Sequence, residues 1–151
     1  MKLRLFAICL LGLFAVATAC SPFTSKVASP ARIAPPPRAT GVDVEVTPPP
    51  GFPADVPVYP AARLTAAASF TSPGQVAWGM EWQTVDGVDK VQPFYKTKFS
   101  QGDWQITFNG SANQAFSATY SRKSNPKVGG LLGADGSSGI TRITLSLAVP
   151  T

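Results

Sequence analysis

Apolar and polar residues alternate in five separate runs between Arg63 and Val149, which is the pattern of half-buried β-strands. The clearest run is Gln75–Thr84, where large apolar residues alternate with small or polar ones. The apolar positions of the five runs are Leu64, Ala66, Ala68 and Phe70; Val76, Trp78, Met80 and Trp82; Trp104, Ile106 and Phe108; Phe116, Ala118 and Tyr120; and Ile143, Leu145, Leu147 and Val149. We therefore expect five strands, with the first apolar set on a single face.

A different period separates the second and third runs. Val88, Val91, Tyr95 and Phe99 recur at spacings of three and four, which predicts an amphipathic helix. Asp86 and Asp89 suit a helix N-terminus, and Gly102 suits the position after a helix end. Pro93 conflicts with a helix interior because it lacks a backbone N–H. Either the helix begins near Asp89, with Pro93 in its first turn, or it begins at Gly87 and kinks; we favour the first.

The order of these elements is β-β-α-β-β-β. It predicts an α+β domain in which an antiparallel sheet of about five strands carries one helix on one face. The segment 124–139 contains five glycines and many polar residues, so we expect it to be a loop. Pro48–Leu64 mixes prolines with large apolar residues, which is typical of an extended segment packed along a domain edge. We place the start of the globular domain, residues 51–151, at Gly51.

The N-terminus has the organisation of a secretory signal. Lys2 and Arg4 precede an apolar run from Leu5 to Val16, and small residues follow it. A buried N-terminal helix is the alternative. We therefore expect residues 1–19 to be a signal peptide and residues 20–50, which are rich in proline, to be a disordered linker.

Cys20 follows Ala17-Thr18-Ala19, and the only other cysteine, Cys9, lies inside the apolar run. This arrangement resembles a bacterial lipoprotein signal, in which a small residue precedes the cysteine that is acylated. The resemblance implies diacylglycerol and palmitate on Cys20 and an anchor in a bacterial membrane. Ala17 departs from the motif, which most often has Leu there, so ordinary cleavage after Ala19 remains the alternative.

A second resemblance covers residues 51–149. The order "PADVPVYPAA … FY … GDW" is similar to a recurrent small domain of bacterial envelope lipoproteins and secreted proteins, in which "VPVYP" precedes a hairpin and a helix with "FY" precedes "GW". Gly102-Asp103-Trp104 inserts one residue into that last pair. The resemblance implies an α+β fold and an extracytoplasmic location. It implies no particular activity.

The amino-acid composition limits which catalytic and metal-binding sites the chain can form. The chain has no histidine, and after signal cleavage Cys20 is its only cysteine, which removes the commonest general base and zinc ligands. Ser124 and Lys127 match S-x-x-K by letter, but Pro126 interrupts the motif and its partner motifs are missing. Asp86 and Asp89 are better explained as helix-terminal charges than as an acid–base pair. Segment 135–139 could cradle an anion, although a flexible loop is the simpler interpretation.

Basic residues are scattered along the sequence. The formal net charge of +5 falls to +3 when Lys2 and Arg4 leave with the signal, which does not indicate a nucleic-acid partner. We expect no cofactor and no metal. The partners we expect are the membrane, through Cys20, and an envelope protein or a cell-wall polymer.

The leading hypothesis is a non-enzymatic binding or scaffolding module of the cell envelope. The alternative is a small-ligand binder for a glycan, a lipid or an anion, using an aromatic groove lined by Trp78, Trp82, Trp104, Phe94 and Tyr95 or the glycine-rich loop. An enzyme ranks third. An aromatic-lined cavity would favour the ligand binder, whereas a filled core would favour the scaffold.

Overall fold

The computed structural model describes residues 41–151, in which six antiparallel strands form one sheet and a single helix crosses one face. The elements are β1 (Arg63–Ser72), β2 (Gln75–Thr84), α1 (Val88–Lys98), β3 (Trp104–Ala112), β4 (Ala115–Arg122), β5 (Gly129–Asp135) and β6 (Thr141–Pro150). The strand order across the sheet is β1-β2-β6-β5-β4-β3. The predicted α+β class is confirmed. We call the face under α1 the inner face and the opposite one the outer face.

The additional strand is β5, which lies inside the segment 124–139 that we expected to be a loop. Its glycines allow close approach between strands. A Cβ at Gly129 would lie 2.8 Å from Ser121 Cα, and a Cβ at Gly130 would overlap the carbonyl oxygen of Ser146. Glycine here therefore reflects crowding between neighbouring strands, a property that local sequence does not reveal.

A β-bulge in β1 corrects the predicted strand face. Leu64 pairs with Trp82, whereas Ala66 pairs with Glu81, so Thr65 is the extra residue. The bulge reverses the alternation after it. Leu64 faces inward with Trp82, while Ala66, Ala68 and Phe70 face outward, and Phe70 is 69% exposed. The expectation that these four residues share one face is therefore wrong.

Helix α1 presents the predicted stripe to the sheet. Val91, Tyr95 and Phe99 at its C-terminal boundary are completely buried. The helix begins at Val88, next to the favoured start near Asp89, but the expectation that Pro93 lies in its first turn is wrong, because Pro93 lies in the helix interior. Pro93 faces solvent, so water can solvate the carbonyl group that would have accepted its missing N–H bond.

The space between helix and sheet is filled by side chains. The Phe99 ring lies 4.6 Å from the Tyr120 ring and 5.8 Å from that of Trp104, measured between centroids. Leu132, Ile143 and Leu147 complete the centre of this core, each with at most 1% of its surface exposed. The predicted aromatic residues thus form a packed interior.

A proline-rich segment, Gly51–Ala62, crosses the inner side of the domain, and we call it the strap. Phe52 packs against the rings of Trp78 and Trp82, and Tyr59 packs against Phe94 at 5.2 Å. The strap closes the core along one side of α1. It explains why "VPVYP" combines prolines with large apolar residues: Val56 and Tyr59 are buried.

Residues 43–50 also pack on the domain. Asp43 exchanges two hydrogen bonds with Gln83, the Val46 N–H donates to the Leu64 carbonyl at 2.9 Å, and Trp78 Nε1 donates to the Pro50 carbonyl. The packed part of the chain therefore begins before Gly51. Residues 1–40, with the expected signal peptide, Cys20 and most of the expected linker, lie outside the described residues. Within residues 41–151, no helix is long and apolar enough to cross a membrane.

Candidate functional site

A concavity with a mainly apolar lining lies on the outer face of the sheet, and we call it the outer groove. It has a volume of about 700 Å³ and is open along its length. It crosses β1, β2, β6, β5 and β4. Its walls are outward-facing residues of these strands: Ala66, Ala68, Gly79, Glu81, Thr144, Ser146, Leu131, Gly133 and Ser117.

Strand register explains the shape of the outer groove. Ala68, Gly79, Ser146 and Leu131 are cross-strand neighbours in one transverse row; Ala66, Glu81, Thr144, Gly133 and Ser117 form the next outward-facing row. The backbone of the row between them is the floor. Because most of the wall residues are Ala, Gly, Ser or Thr, the space between the rows stays open. Five strands spaced by ~4.8 Å make the groove roughly 19 Å long.

Glu81 is the only charged residue that lines the outer groove, and other side chains hold its carboxylate. Oε1 accepts hydrogen bonds from Gln83 Nε2 at 3.2 Å and Thr65 Oγ1 at 3.4 Å, and it lies 3.1 Å from Arg142 Nε. The carboxylate is thus neutralised within the sheet. The rest of the lining is uncharged, so the outer groove suits a neutral and largely apolar group.

A second groove, of about 730 Å³, lies between the strap and the C-terminal half of α1. Arg122 organises its neighbourhood: the guanidinium is 2.7 Å from Asp55 of the strap, 3.5 Å from Asp103, and stacked 4.3 Å from the Trp104 ring centroid. Hydrogen bonds from Ser124, and then from Arg122, lower the pKa of Asp103. All the charged groups in this cluster have partners, which indicates a clamp for the strap rather than a reactive centre.

Three catalytic candidates of the sequence, Ser124, Asp86 and Asp135, are engaged in structural contacts. Ser124 lies in the β4–β5 turn, where its hydroxyl donates to Asp103. Asp86 does not cap α1, since the N-cap is Gly87; it accepts hydrogen bonds from Lys90 and Tyr59, which lower its pKa in that order. The Ser137 N–H donates to Asp135 Oδ1 at 2.8 Å, so that carboxylate is used within the β5–β6 turn.

Two buried tyrosines on the inner face differ in one respect. Tyr120 donates its hydroxyl to the Ser146 carbonyl at 2.8 Å, whereas the buried hydroxyl of Tyr95 forms no well-aligned hydrogen bond and has only a weak contact with the backbone of Tyr59. Burial raises the pKa of both phenols far above the ordinary value of 10.0. Neither can serve as a base near neutral pH, and no open cavity reaches them in the described residues.

Sequence reasoning missed the outer groove. The shape of this groove depends on which strands are neighbours and in which register they pair. The only local signal is the smallness of the residues that alternate with the large apolar ones, such as Gly79 between Trp78 and Met80. Residues 41–151 contain no group of three or more Cys, Asp or Glu side chains arranged to hold a metal ion.

Comparison with known proteins gives one similarity. Residues 64–127, from the start of β1 to the β4–β5 turn, match a family model described as START domain-like. The match spans under half of the 151 residues. It includes the parts of β1, β2 and β4 that line the outer groove and all of α1. No curated protein and no solved structure matches the chain.

Proposed function

We propose that this chain is a lipid-anchored, non-enzymatic binding module of the bacterial cell envelope whose outer groove takes a neutral, elongated and largely apolar small molecule. The observation that carries the proposal is the outer groove itself, about 700 Å³ in volume and lined by small uncharged side chains. That volume is within the ~300–1,000 Å³ typical of small-molecule sites. The START domain-like match also favours ligand binding.

The chemistry of the lining decides between ligand classes. A glycan or an anion needs several convergent hydrogen-bond donors or an unpaired positive charge. The outer groove has no unpaired positive charge, because Glu81 is its only charged residue and is paired with Arg142, and its neutral polar side chains, Asn109, Ser117, Thr144 and Ser146, are spread over three strands. An apolar chain requires only a long groove without unpaired polar groups. The floor of hydrogen-bonded backbone and the small side chains beside it provide such a groove. The filled inner core supports placing the ligand outside the helix–sheet interior.

Binding can be tested with N-phenyl-1-naphthylamine, a neutral apolar dye whose fluorescence rises on transfer out of water. The protein is the chain expressed from residue 20 with Cys20→Ser. Gly79→Leu places a side chain in the outer groove at a position where an added Cβ meets no atom within 4 Å. We expect this variant to lower dye affinity at least tenfold without lowering the melting temperature.

The matched control is Thr107→Leu, an exposed position on β3 that does not line the outer groove. It adds the same apolar side chain and should leave dye affinity unchanged. Equal affinity of Gly79→Leu and the parent would refute the outer groove as the binding site. Saturable binding that survives Gly79→Leu but is lost on loosening the strap would place the ligand in the core instead.

The anchor is tested separately. It rests on the signal-like N-terminus and Cys20. Metabolic labelling with a fatty-acid analogue should mark the wild-type protein and the Cys9→Ser variant, whereas Cys20→Ser should carry no label and leave the membrane fraction. Wild-type protein that carries no fatty acid and is recovered free of membranes would refute the anchor and leave the groove proposal standing.

A further inference from the structure

Residues 41–151 carry eight basic and eight acidic side chains, so this part of the chain has no formal net charge. The fold nevertheless separates the two signs. Arg63, Arg142 and Lys90 lie at the end of the sheet where α1 begins, together with six carboxylates: Asp43, Glu45, Glu81, Asp86, Asp89 and Asp135. We call this the acidic end; its net charge is −3.

The opposite end is basic, and we call it the basic end. The last turn of α1 contributes Lys96 and Lys98, and the β4–β5 turn with the end of β4 contributes Arg122, Lys123 and Lys127. The two segments are joined there by hydrogen bonds, since Lys123 N–H donates to the Asp103 carbonyl and Lys123 Nζ donates to the Gly102 carbonyl at 2.8 Å. With Asp55 and Asp103 as its only carboxylates among the described residues, the basic end has a net charge of +3.

The charges of the basic end differ in availability. Arg122 is held by Asp55 and Asp103, which uses both nearby carboxylates. Lys96, Lys98, Lys123 and Lys127 are exposed, and none of them forms a salt bridge with the described residues. Four ammonium groups therefore lie at one end of the domain, two on each of two segments that are 25 residues apart in sequence, and the Lys123 ammonium also donates to the Gly102 carbonyl.

We infer that the basic end docks on an anionic phospholipid surface. A densely charged surface attracts ammonium groups at this end of the domain without requiring a single fixed geometry, and each contributes roughly fivefold to the partition coefficient when it lies near such a surface. The acidic end, on the far side of the domain, favours the same orientation because the surface repels it. This surface is separate from the outer groove, so the inference does not rest on the proposed ligand.

The test is co-sedimentation with vesicles, using the chain expressed from residue 20 with Cys20→Ser so that no acyl chain contributes. We expect binding to vesicles of phosphatidylcholine with 30% phosphatidylglycerol, and none to phosphatidylcholine alone. Raising the salt from 50 to 300 mM shortens the screening length to about 6 Å and should weaken binding more than tenfold. Lys98→Gln with Lys127→Gln should lower the partition coefficient about 25-fold at the lower salt.

The matched control is Asn113→Asp with Gln114→Glu. It changes the net charge by the same amount, but at the exposed β3–β4 turn, which lies at the acidic end. It should retain most of the binding. No preference for the anionic vesicles, or equal losses in the two double variants, would overturn the inference. Salt-sensitive self-association in sedimentation equilibrium, lost in Lys98→Gln with Lys127→Gln and retained or strengthened in Asn113→Asp with Gln114→Glu, would instead assign the basic end to the acidic end of a second copy.

Discussion

The contrast between Tyr95 and Tyr120 gives the sharpest test of the inner core. Both phenols are buried against α1 and the sheet, and both can lose their hydroxyl by substitution with phenylalanine at almost constant volume. The hydroxyl of Tyr120 donates to Ser146, whereas that of Tyr95 has only a weak contact with the Tyr59 backbone. The same chemical change should therefore have opposite effects at the two positions.

The magnitudes follow from the hydrogen bonds. Tyr120→Phe removes a bond and leaves the buried Ser146 carbonyl without that donor, which should cost about 1–2 kcal/mol. Tyr95→Phe removes a buried hydroxyl that gave up its water for only that weak contact, which should stabilise the fold by up to about 1 kcal/mol. The free energies of unfolding of the two variants should thus differ by about 2–3 kcal/mol, a large part of the ~5–15 kcal/mol that such a domain possesses.

Urea denaturation followed by tryptophan fluorescence measures this difference. With a slope of ~1–3 kcal/mol per molar urea, the two midpoints should be separated by roughly 1–2 M, and the slopes should be equal. Because Trp104 lies 5.6 Å from the Tyr120 ring, circular dichroism should accompany fluorescence as a second probe. If Tyr95→Phe destabilises the protein as much as Tyr120→Phe does, the Tyr95 hydroxyl has a partner and the reasoning is refuted.

Three further outcomes are expected. Gly130→Ala should lower the free energy of unfolding by about 1–3 kcal/mol in a thermal or urea melt, because its Cβ would overlap the Ser146 carbonyl. Gly79→Ala places its Cβ in open space and should change that free energy by no more than ~0.5 kcal/mol. Equal effects of the two substitutions would contradict the crowding of β5. Phe99→Ala should cost ~3–5 kcal/mol by leaving a cavity among three aromatic rings, against ~0.5 kcal/mol or less for the exposed Lys98→Ala in the same melts. The pKa of Asp103 is lowered in the fold, so the ionised carboxylate stabilises the protein fully above the ordinary pKa of 3.8, and this stabilisation is lost as pH falls through the lower folded pKa. Asp103→Asn should therefore be less stable than wild type at pH 7, and the stability curves of the two proteins should converge in acid.

The sequence predicted what short-range periodicity determines. The spacing of Val91, Tyr95 and Phe99 placed the buried face of α1 correctly, and alternation placed the large residues of β2 and β6 on one face. Both patterns depend on neighbours along the chain. The position of Pro93 within α1 was predicted wrongly, because we expected proline to be confined to the first turn, although an exposed proline one turn later leaves only one carbonyl for water to solvate.

The features that sequence reasoning missed depend on contacts between distant segments. The glycines of β5 indicated a loop, but their role is to admit Ser121 and Ser146 from neighbouring strands. The bulge at Thr65 reversed a face without any local signal in glycine or proline. The outer groove needs the transverse alignment of five strands, and the basic end needs the last turn of α1 beside the β4–β5 turn. The lysines looked scattered because their proximity is a property of the fold.

The wrapped segment 43–50 determines how a pull on the N-terminal side of the domain would be resisted. Such a pull first acts on the Asp43–Gln83 hydrogen bonds, then on the Val46–Leu64 bond, and only then on the Trp78–Pro50 contact behind the edge of the sheet. Because these contacts bear the load one after another and not together, we expect each to break at a low force while β1 and β2 stay paired. We therefore expect this segment to detach and extend under load before the sheet unfolds.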